Sequence, residues 1–226
     1  MNLKSFERRF RDIKKQGWVM SQRKGPTGIG HTLEKLLGLK ENNIALPDLK
    51  HVELKAHRIG SSSMITLFTF NRKVWRMKQL EAVRAYGTPD KNGRMGLYFT
   101  MSRMPNSTGL FLHVEKESIS VRHISGALIA EWPLDGLARQ FVRKLPALVF
   151  VSGFSEMRGD LEWFKYDRAQ ILRETSPEII RSQILSGNIL VDLRLHDKVT
   201  CARNHGTGFR AYEDKLPSLF KTVAEL

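Results

Sequence analysis

The chain has 226 residues, and its 37 Lys and Arg against 23 Asp and Glu give a formal net charge of +14. The shares of hydrophobic residues (41%) and charged residues (27%) are typical of a globular protein and argue against disorder. The single cysteine excludes a disulfide framework and any zinc site that needs several thiolates.

The N-terminal part of the chain predicts two helices joined by a glycine-rich loop. Apolar residues from Leu3 to Ile13 recur at three- and four-residue steps, which is the spacing of an amphipathic helix, and Gly17 is a suitable stop. After the loop at 24–30, a second helix is predicted from about residue 31 to residue 37. The two helices each present one apolar stripe, so both are expected to pack on a core.

From Pro47 onward the pattern changes to the alternation of a β-strand. Val52 and Leu54 point to one face of this strand, and both are apolar. Glu53 and Lys55 are two residues apart and therefore project together from the other face. The sequence thus predicts a strand whose polar face carries a carboxylate beside an ammonium group.

The rest of the chain mixes short strands with helices. Helices are predicted at 73–85, at 134–145 and between a Ser176 cap and Gly187. Strands are predicted at 64–70, 97–100, 110–114, 118–123, 128–132, 147–151 and 189–195, while 161–172 is ambiguous between strand and helix. The predicted fold class is α+β, with a mixed central β-sheet flanked by helices, and no linker divides the chain.

The positive charge predicts a polyanionic partner, most simply the phosphates of DNA or RNA. A basic protein that is merely kept soluble by its charge is the alternative. No apolar run approaches the ~20 residues that span a bilayer, and residues 1–15 lack the apolar stretch of a signal peptide. We therefore expect a cytoplasmic protein with no membrane partner.

Acidic residues around the predicted strand suggest a metal-dependent hydrolase. Asp48 lies five residues before Glu53, close enough to share a ligand. These two carboxylates and the backbone carbonyl of Leu54 would give Mg²⁺ the hard oxygen ligands it prefers. Lys55 could orient water or stabilise charge on a phosphate. The spacing D-x4-E-x-K occurs by chance in about 3% of chains this long, so a surface ion pair of Glu53 with Lys55 stays an alternative.

A further carboxylate, Glu34, lies on the second predicted helix, one position beyond the apolar residue Leu33. From there it could face the strand and complete a metal shell. Alternatively, it pairs with Lys35 or Lys24 and has no part in a site. The sequence leaves both interpretations open.

Several sequence runs together resemble the MvaI/BcnI restriction endonucleases, a family related to the mismatch-repair nickase MutH. The matching runs are 28–34, Asp48, 52–58, 65–69, 191–194 and 203–210 (RNHGTGFR). The last run is the most specific, since eight contiguous residues of mixed type are hard to meet by chance. The resemblance covers most of the chain and is weakest at about 100–170.

The resemblance implies a restriction-endonuclease-like PD-(D/E)-x-K core in which two lobes form a DNA cleft. The whole chain, 1–226, would be one endonuclease domain, with an approximate catalytic lobe at 1–100 interleaved with a recognition lobe at 101–226. Such an enzyme would use Mg²⁺, with Mn²⁺ as a substitute, and cut both strands of double-stranded DNA at a short, near-palindromic site. It would act as a monomer, with a cognate DNA methyltransferase in the same system.

The resemblance also assigns roles to individual residues. Asp48 and Glu53 would be metal ligands, Lys55 the catalytic lysine and Glu34 an outer carboxylate. Arg203, His205 and Arg210 would lie in the segment that reads base edges, and Asn204 and Thr207 of the same run are also expected to contact DNA. From their position after the acidic motif, His57 and Arg58 could contact a phosphate, although a satisfied surface pair is the alternative. From residue chemistry alone, the 203–210 run is equally a glycine-rich hairpin turn with solvated arginines, although Arg is well suited to reading guanine.

Three other functions remain open at this stage. A MutH-like nickase would leave nicked circles rather than linear DNA, whereas a catalytically silent DNA-binding module would bind without hydrolysis. A basic structural or RNA-associated protein would show no preference among duplex sequences. The scattered histidines and Cys201 lack the spacing of a zinc site, and residues 61–63 (SSS) have no base at a recognisable spacing, so they are interpreted as a loop.

Overall fold

The computed structural model describes residues 1–39, 43–46, 49–71 and 73–226, with the backbone alone for 43–46 and 49–51. Its helices are α1 Leu3–Lys15, α2 Gly28–Leu37, α3 Gln79–Tyr86, α4 Leu134–Lys144, α5 Pro177–Leu185 and the 3-10 helix Glu213–Leu219. Its strands are β1 Trp18–Met20, β2 Asn43–Leu46, β3 Leu49–Arg58, β4 Ile65–Thr69, β5 Thr88–Pro89, β6 Met95–Met101, β7 Leu110–Val114, β8 Ser118–His123, β9 Leu128–Pro133, β10 Ala147–Arg158, β11 Leu161–Arg173, β12 Leu190–Asp197, β13 Ala202–Asn204, β14 Gly208–Ala211 and β15 Thr222–Glu225.

The described residues divide into two compact units. The first unit contains Met1–Ser63, Leu145–Thr175 and Phe220–Leu226. The second unit contains Met64–Lys144 and Ser176–Leu219. The units therefore interleave along the chain, and their bounds differ from an approximate division at residue 100, because residues 145–175 supply strands to the same sheet as β3.

The first unit is built on a mixed sheet with the strand order β1-β11-β10-β3-β2, and β15 also pairs with β11. The strands β3 and β10 are parallel, and the other pairs are antiparallel. The apolar stripes of α1 and α2 pack on one face of this sheet, where the buried residues include Phe6, Phe10, Leu33, Leu37, Val52, Leu54, Val149 and Phe164. Each such side chain contributes roughly 1.5–3 kcal/mol when buried, so this packing fixes which face of β3 is left for polar residues.

The second unit contains a sheet with the order β4-β14-β12-β6-β5, with β13 paired to β12, and a smaller sheet β7-β8-β9. Alternation along β12 determines its two faces: Val191, Leu193 and Leu195 are fully buried. Phe209 of β14 joins that core, where its ring stacks on Phe68 with centroids 4.8 Å apart. The polar residues of β12 consequently share the opposite face.

Helix α5 forms as its sequence predicts. The Ser176 Oγ accepts a hydrogen bond from the Ile179 amide, 3.3 Å away, and Pro177 occupies the first turn. Helix α3 starts later than the predicted residue 73, because the amides of Arg76 and Met77 donate to the carbonyl of Ile129 on β9. This tertiary pairing overrides the helical pattern of the preceding residues.

The ambiguous segment 161–172 is a strand, β11, and β10 runs to Arg158 rather than ending at Val151. The two form a long antiparallel hairpin that continues to the pair Arg158↔Leu161. The ladder hydrogen bonds of the hairpin stabilise an extended chain where local composition alone is indecisive.

Candidate functional site

The strand β3 brings Glu53 and Lys55 together on its polar face, as the alternation predicts. The Lys55 Nζ donates a hydrogen bond to Glu53 Oε1 at 3.1 Å. Both side chains are partly buried, at 29% exposure for Glu53 and 20% for Lys55, so water screens this pair less than an exposed surface pair. The neighbouring Val52 and Leu54 are buried in the core, which holds the strand in register.

The other predicted members of this acidic site are Asp48, Leu54 and Glu34. Asp48 lies outside the described residues. Leu54 is 5% exposed and points into the core, so only its backbone carbonyl is available as a ligand. Glu34 lies half-buried on α2, and no described hydrogen bond or ion pair joins it to Glu53 or Lys55. Burial raises the pKa of Tyr166, and the charge of Glu34 adds to this rise, which places Glu34 electrostatically near β11.

His57 continues the same face of β3, two residues after Lys55, but its ring is only 8% exposed. Its Nε2 lies 3.0 Å from the Ser63 Oγ, and the Ser63 Oγ lies 2.8 Å from the Ser61 Oγ. The His57 ring also lies against Phe150, with ring centroids 6.5 Å apart. These contacts tie the 59–63 loop to β3, so the structure favours a loop-holding role for His57 over direct contact with DNA.

Arg58 is also engaged within the protein. Its guanidinium forms a two-pronged ion pair with Glu162, at 2.7 and 2.9 Å. It donates further hydrogen bonds to the carbonyls of Pro26 at 2.9 Å and Gly25 at 3.2 Å. The group also lies over the Phe164 ring. Such a bidentate pair fixes geometry well, so Arg58 anchors the loop before α2 instead of presenting a free cation to a phosphate.

The polar face of the second unit's larger sheet carries three residues of the C-terminal run, Arg203, His205 and Arg210; we call it the reading face. On β12, Asp192, Arg194 and His196 alternate with the buried apolar residues. Tyr98 and Thr100 of β6 pair with Arg194 and Asp192 in the antiparallel register and therefore share this face. Arg203 pairs with His196, and Arg210 reaches Asp192 from β14.

Asp192 is a candidate site residue to which the sequence analysis gave no role, although it lies in the matching run 191–194. Its carboxylate lies 3.0 Å from an Nη of Arg210 and accepts a hydrogen bond from the Thr100 Oγ1 at 3.1 Å. The Asp192 side chain is 12% exposed and that of Arg210 is 18% exposed. This contact orients the Arg210 guanidinium. The sequence signal that could have identified it is an acidic residue on the polar face of the otherwise apolar strand at 190–195.

His205 joins a second cluster on the reading face. Nδ1 of His196 lies 3.1 Å from His205 Nε2 and 2.9 Å from the Tyr98 hydroxyl oxygen. His196 is 5% exposed, whereas His205 and Tyr98 are exposed. Burial lowers the pKa of His196, and electrostatic interactions with Arg94, His205, Arg203 and Lys198 lower it further.

The lowered pKa of His196 predicts how folding stability depends on pH. Protons bind this imidazole more tightly in the unfolded chain, so its contribution is complete above the unfolded pKa of about 6.5. The contribution is lost as pH falls through the lower folded pKa. The fall in unfolding free energy between pH 8 and pH 5, measured by denaturant titration, should therefore be smaller in His196→Gln than in the native protein. His113→Gln, which replaces a partly exposed histidine on β7, is the control; equal pH dependence of His196→Gln and the native protein would contradict the prediction.

The remaining residues of the 203–210 run divide between surface and interior. Arg203 is exposed. The Asn204 Oδ1 accepts a hydrogen bond from the Gly206 amide at 2.8 Å, which favours a loop-holding role. Gly206 has φ of +104°, a conformation suited to glycine. Thr207 is fully buried, so the structure argues against a DNA contact by its side chain; its amide donates to Asn71 Oδ1 at 2.7 Å.

The oxygen donors on β3 suit a hard cation. Mg²⁺ is commonly held by one or two carboxylates together with water and substrate phosphates. Glu53 and the Leu54 carbonyl fit that chemistry. Among the residues that the structure describes, no group of three or more His, Cys, Asp or Glu side chains could hold a metal ion. A shell at β3 would therefore draw on Asp48 or on the substrate itself.

Comparison with solved structures identifies the fold as that of a restriction endonuclease. The chain is similar to the restriction endonuclease MvaI in complex with its cognate DNA, with a TM-score of 0.78, 24% sequence identity, and coverage of 100% of this chain and 99% of that one. It is also similar to MvaI in the absence of DNA, with a TM-score of 0.53, 24% identity, and coverage of 99% and 96%.

Sequence comparison identifies the family. A sequence model of the MvaI/BcnI restriction endonuclease family matches residues 7–220, and the chain belongs to this family. It is therefore a restriction endonuclease, a site-specific nuclease that acts on DNA. A comparison with curated proteins found no match. Within the part of the chain that the structure describes, none of the helices is both long and apolar enough to span a membrane.

Proposed function

We propose that this protein is a type II restriction endonuclease that uses Mg²⁺ to hydrolyse both strands of double-stranded DNA at a short, near-palindromic sequence. The observation that carries the proposal is the Glu53–Lys55 pair on β3, because it provides a ligand and a cation side by side in a chain of this nuclease family. We assign catalysis to the first unit and sequence recognition to the second unit. By resemblance to the family, we propose a monomer with a cognate DNA methyltransferase.

The proposed reaction is hydrolysis of a phosphodiester. A water oxygen forms a bond to phosphorus while a P–O ester bond breaks, and the departing oxygen takes a proton. Glu53, the Leu54 carbonyl and Asp48 would hold the cation, with Mn²⁺ as a substitute. When bound, the cation supplies Lewis-acid stabilisation of the phosphate charge. Lys55, held by Glu53, donates to a phosphate oxygen and stabilises the charge that develops there.

Recognition is proposed for the reading face. Arg203 and His205 are exposed there, and Arg210 is oriented by Asp192. An arginine can donate two parallel hydrogen bonds to O6 and N7 of guanine, which is the commonest specific contact in the major groove. The net charge of +14 favours association with the phosphate backbone. The DNA in the MvaI complex supports the choice of duplex DNA as the substrate of this chain.

Digestion of plasmid and phage DNA tests the proposal directly. Purified protein with Mg²⁺ should give discrete linear fragments, and EDTA should abolish them. Sequencing the fragment ends would define the site and the stagger. Accumulation of nicked circles would instead indicate a MutH-like nickase, and sequence-specific binding without hydrolysis in any divalent ion would indicate a silent DNA-binding module. A smear across all templates would contradict sequence specificity.

A further inference from the structure

The turn between β12 and β13 contains a strained and exposed apolar residue. Val199 has φ of +67°, a left-handed conformation in which a branched Cβ is crowded. Its side chain is 78% exposed, so burial does little to offset that strain. Strained residues of this kind persist where the surrounding structure holds them, and they are concentrated at functional sites. Packing in the core therefore does not explain the strained conformation of Val199.

Arg84 on α3 holds this turn in its conformation. The Arg84 Nε donates to Asp197 Oδ2 at 2.7 Å, and its Nη2 donates to the Val199 carbonyl oxygen at 2.7 Å. The Val199 amide donates to Asp197 Oδ1 at 2.5 Å. Both polar backbone groups of Val199 are thus fixed, one by Asp197 and one by Arg84. We call residues 197–201 the Val199 turn.

The Val199 turn lies at the end of the hairpin that carries the reading face. The pairs His196↔Arg203 and Asp197↔Ala202 lead into it. Val199 therefore lies in the turn itself, past the last paired position of the hairpin and four residues from Arg203 along the chain.

The charges around the Val199 turn favour a polyanion. Lys198 and Arg203 are exposed, and their positive charges contribute to the lowered pKa of His196. Asp197, the acidic residue of the turn, is already paired with Arg84. The turn therefore presents the apolar side chain of Val199 near two cations, Lys198 and Arg203. Its acidic residue, Asp197, does not neutralise them, because it is paired with Arg84.

We propose that the Val199 turn is a second DNA-contact element, which extends recognition beyond the bases addressed by Arg203. In this arrangement Val199 makes apolar contact with a base edge, such as a thymine methyl group, and with deoxyribose in a groove. Lys198 contacts a phosphate. Arg84 is a positioning residue, because it holds the turn in the conformation that contacts DNA. Less conformational entropy is therefore lost when DNA binds. The inference rests on the proposed function, since it requires duplex DNA as substrate.

Val199→Gly separates a DNA-contact role from a structural one. Glycine adopts a positive φ without strain, so the unfolding free energy should equal or exceed that of the native protein. Affinity for a cognate duplex, measured without divalent ion to prevent cleavage, should fall by about tenfold. The difference in affinity between Val199→Gly and the native protein should be smaller on duplexes in which the two base pairs next to the recognised site are changed. On those duplexes the native protein has already lost the contact that the variant lacks. Unchanged affinity, or a loss of affinity that accompanies a loss of stability, would overturn the proposal.

Two further variants sharpen the test. Ile124→Ala is the control, because it removes an apolar side chain that is also exposed, at 67%, in the turn after β8. Its affinity for DNA should stay within about twofold of the native value. An equal loss of affinity in Ile124→Ala and Val199→Ala would overturn the proposal. Arg84→Ala and Val199→Ala should be non-additive in a double-mutant cycle of binding, since both act through one contact. Strict additivity would remove Arg84 as a positioning residue. Failure of the native protein to cut DNA would refute the proposed function instead, before any variant is compared.

Discussion

Replacing Glu53 by Gln is expected to lower the rate of DNA cleavage by about a thousandfold. The substitution keeps the size of the side chain and an oxygen acceptor for Lys55, but it removes the negative charge that a divalent cation requires as a ligand. Because Glu53 is proposed for catalysis and not for recognition, affinity for the cognate duplex should stay within about threefold. Single-turnover cleavage with Mg²⁺ measures the first quantity, and binding without divalent ion measures the second.

Glu156→Gln is the matched control for this experiment. Glu156 also pairs with a cation two residues away on a strand of the same sheet, namely Arg158 on β10, and it is 40% exposed. The control should cleave DNA at nearly the native rate, because an exposed ion pair contributes little to stability and this one lies outside the proposed site. Native activity in Glu53→Gln, or equal losses in the two variants, would remove Glu53 from the catalytic machinery.

Replacing Arg210 by Ala is expected to weaken binding to the cognate sequence by about a hundredfold, with much less effect on binding to unrelated duplexes. A bidentate arginine contact with guanine provides about 1–3 kcal/mol of discrimination. Arg210 is oriented for such a contact by Asp192, 3.0 Å away. Competition binding with cognate and scrambled duplexes at one fixed salt concentration measures the change in specificity.

Two other variants separate recognition from folding and from charge. Removing Arg210 takes the nearer cation from the nearly buried Asp192 and leaves it with Arg194, whose Nε is 3.9 Å away. The loss of the closer partner destabilises the fold, so Arg210→Lys is needed as well. This variant keeps the charge and should remain folded, but it loses the fork geometry of arginine and with it most of the specificity. Arg139→Ala removes an exposed cation from α4 and should weaken binding to all duplexes alike. Native specificity in Arg210→Lys would show that Arg210 does not read a base in bidentate fashion.

Local patterning was sufficient to predict several parts of this molecule. The period-2 alternation at 52–55 predicted that Glu53 and Lys55 share a face, and their hydrogen bond confirms it. The cap at Ser176 and the proline after it predicted the start of α5. Both features depend on residues within a few positions of each other, where backbone geometry alone fixes direction. The resemblance carried by scattered runs predicted the family, which the match over 7–220 confirms.

Position in the sequence did not reveal the contacts of several residues beside these motifs. His57 and Arg58 are the last two residues of β3, yet Glu162 pairs with Arg58, and His57 is buried beside Ser63. Thr207 lies inside the most specific run and is fully buried. The contacts of Arg58 with Glu162 and of His57 with Phe150 join segments that are far apart in the sequence, and no local pattern encodes them.

The sequence by itself determined the family, the fold class and the pairing of Glu53 with Lys55, because alternation and motif order are local properties of the chain. Only the tertiary structure joined Asp192 to Arg210, through pairing of β12 with β14, and brought Arg84 to Val199, 115 residues away. The physical reason is that the period of the apolar residues and the local propensity fix the face on which a side chain lies. Strand pairing and burial then decide which residues that face contacts.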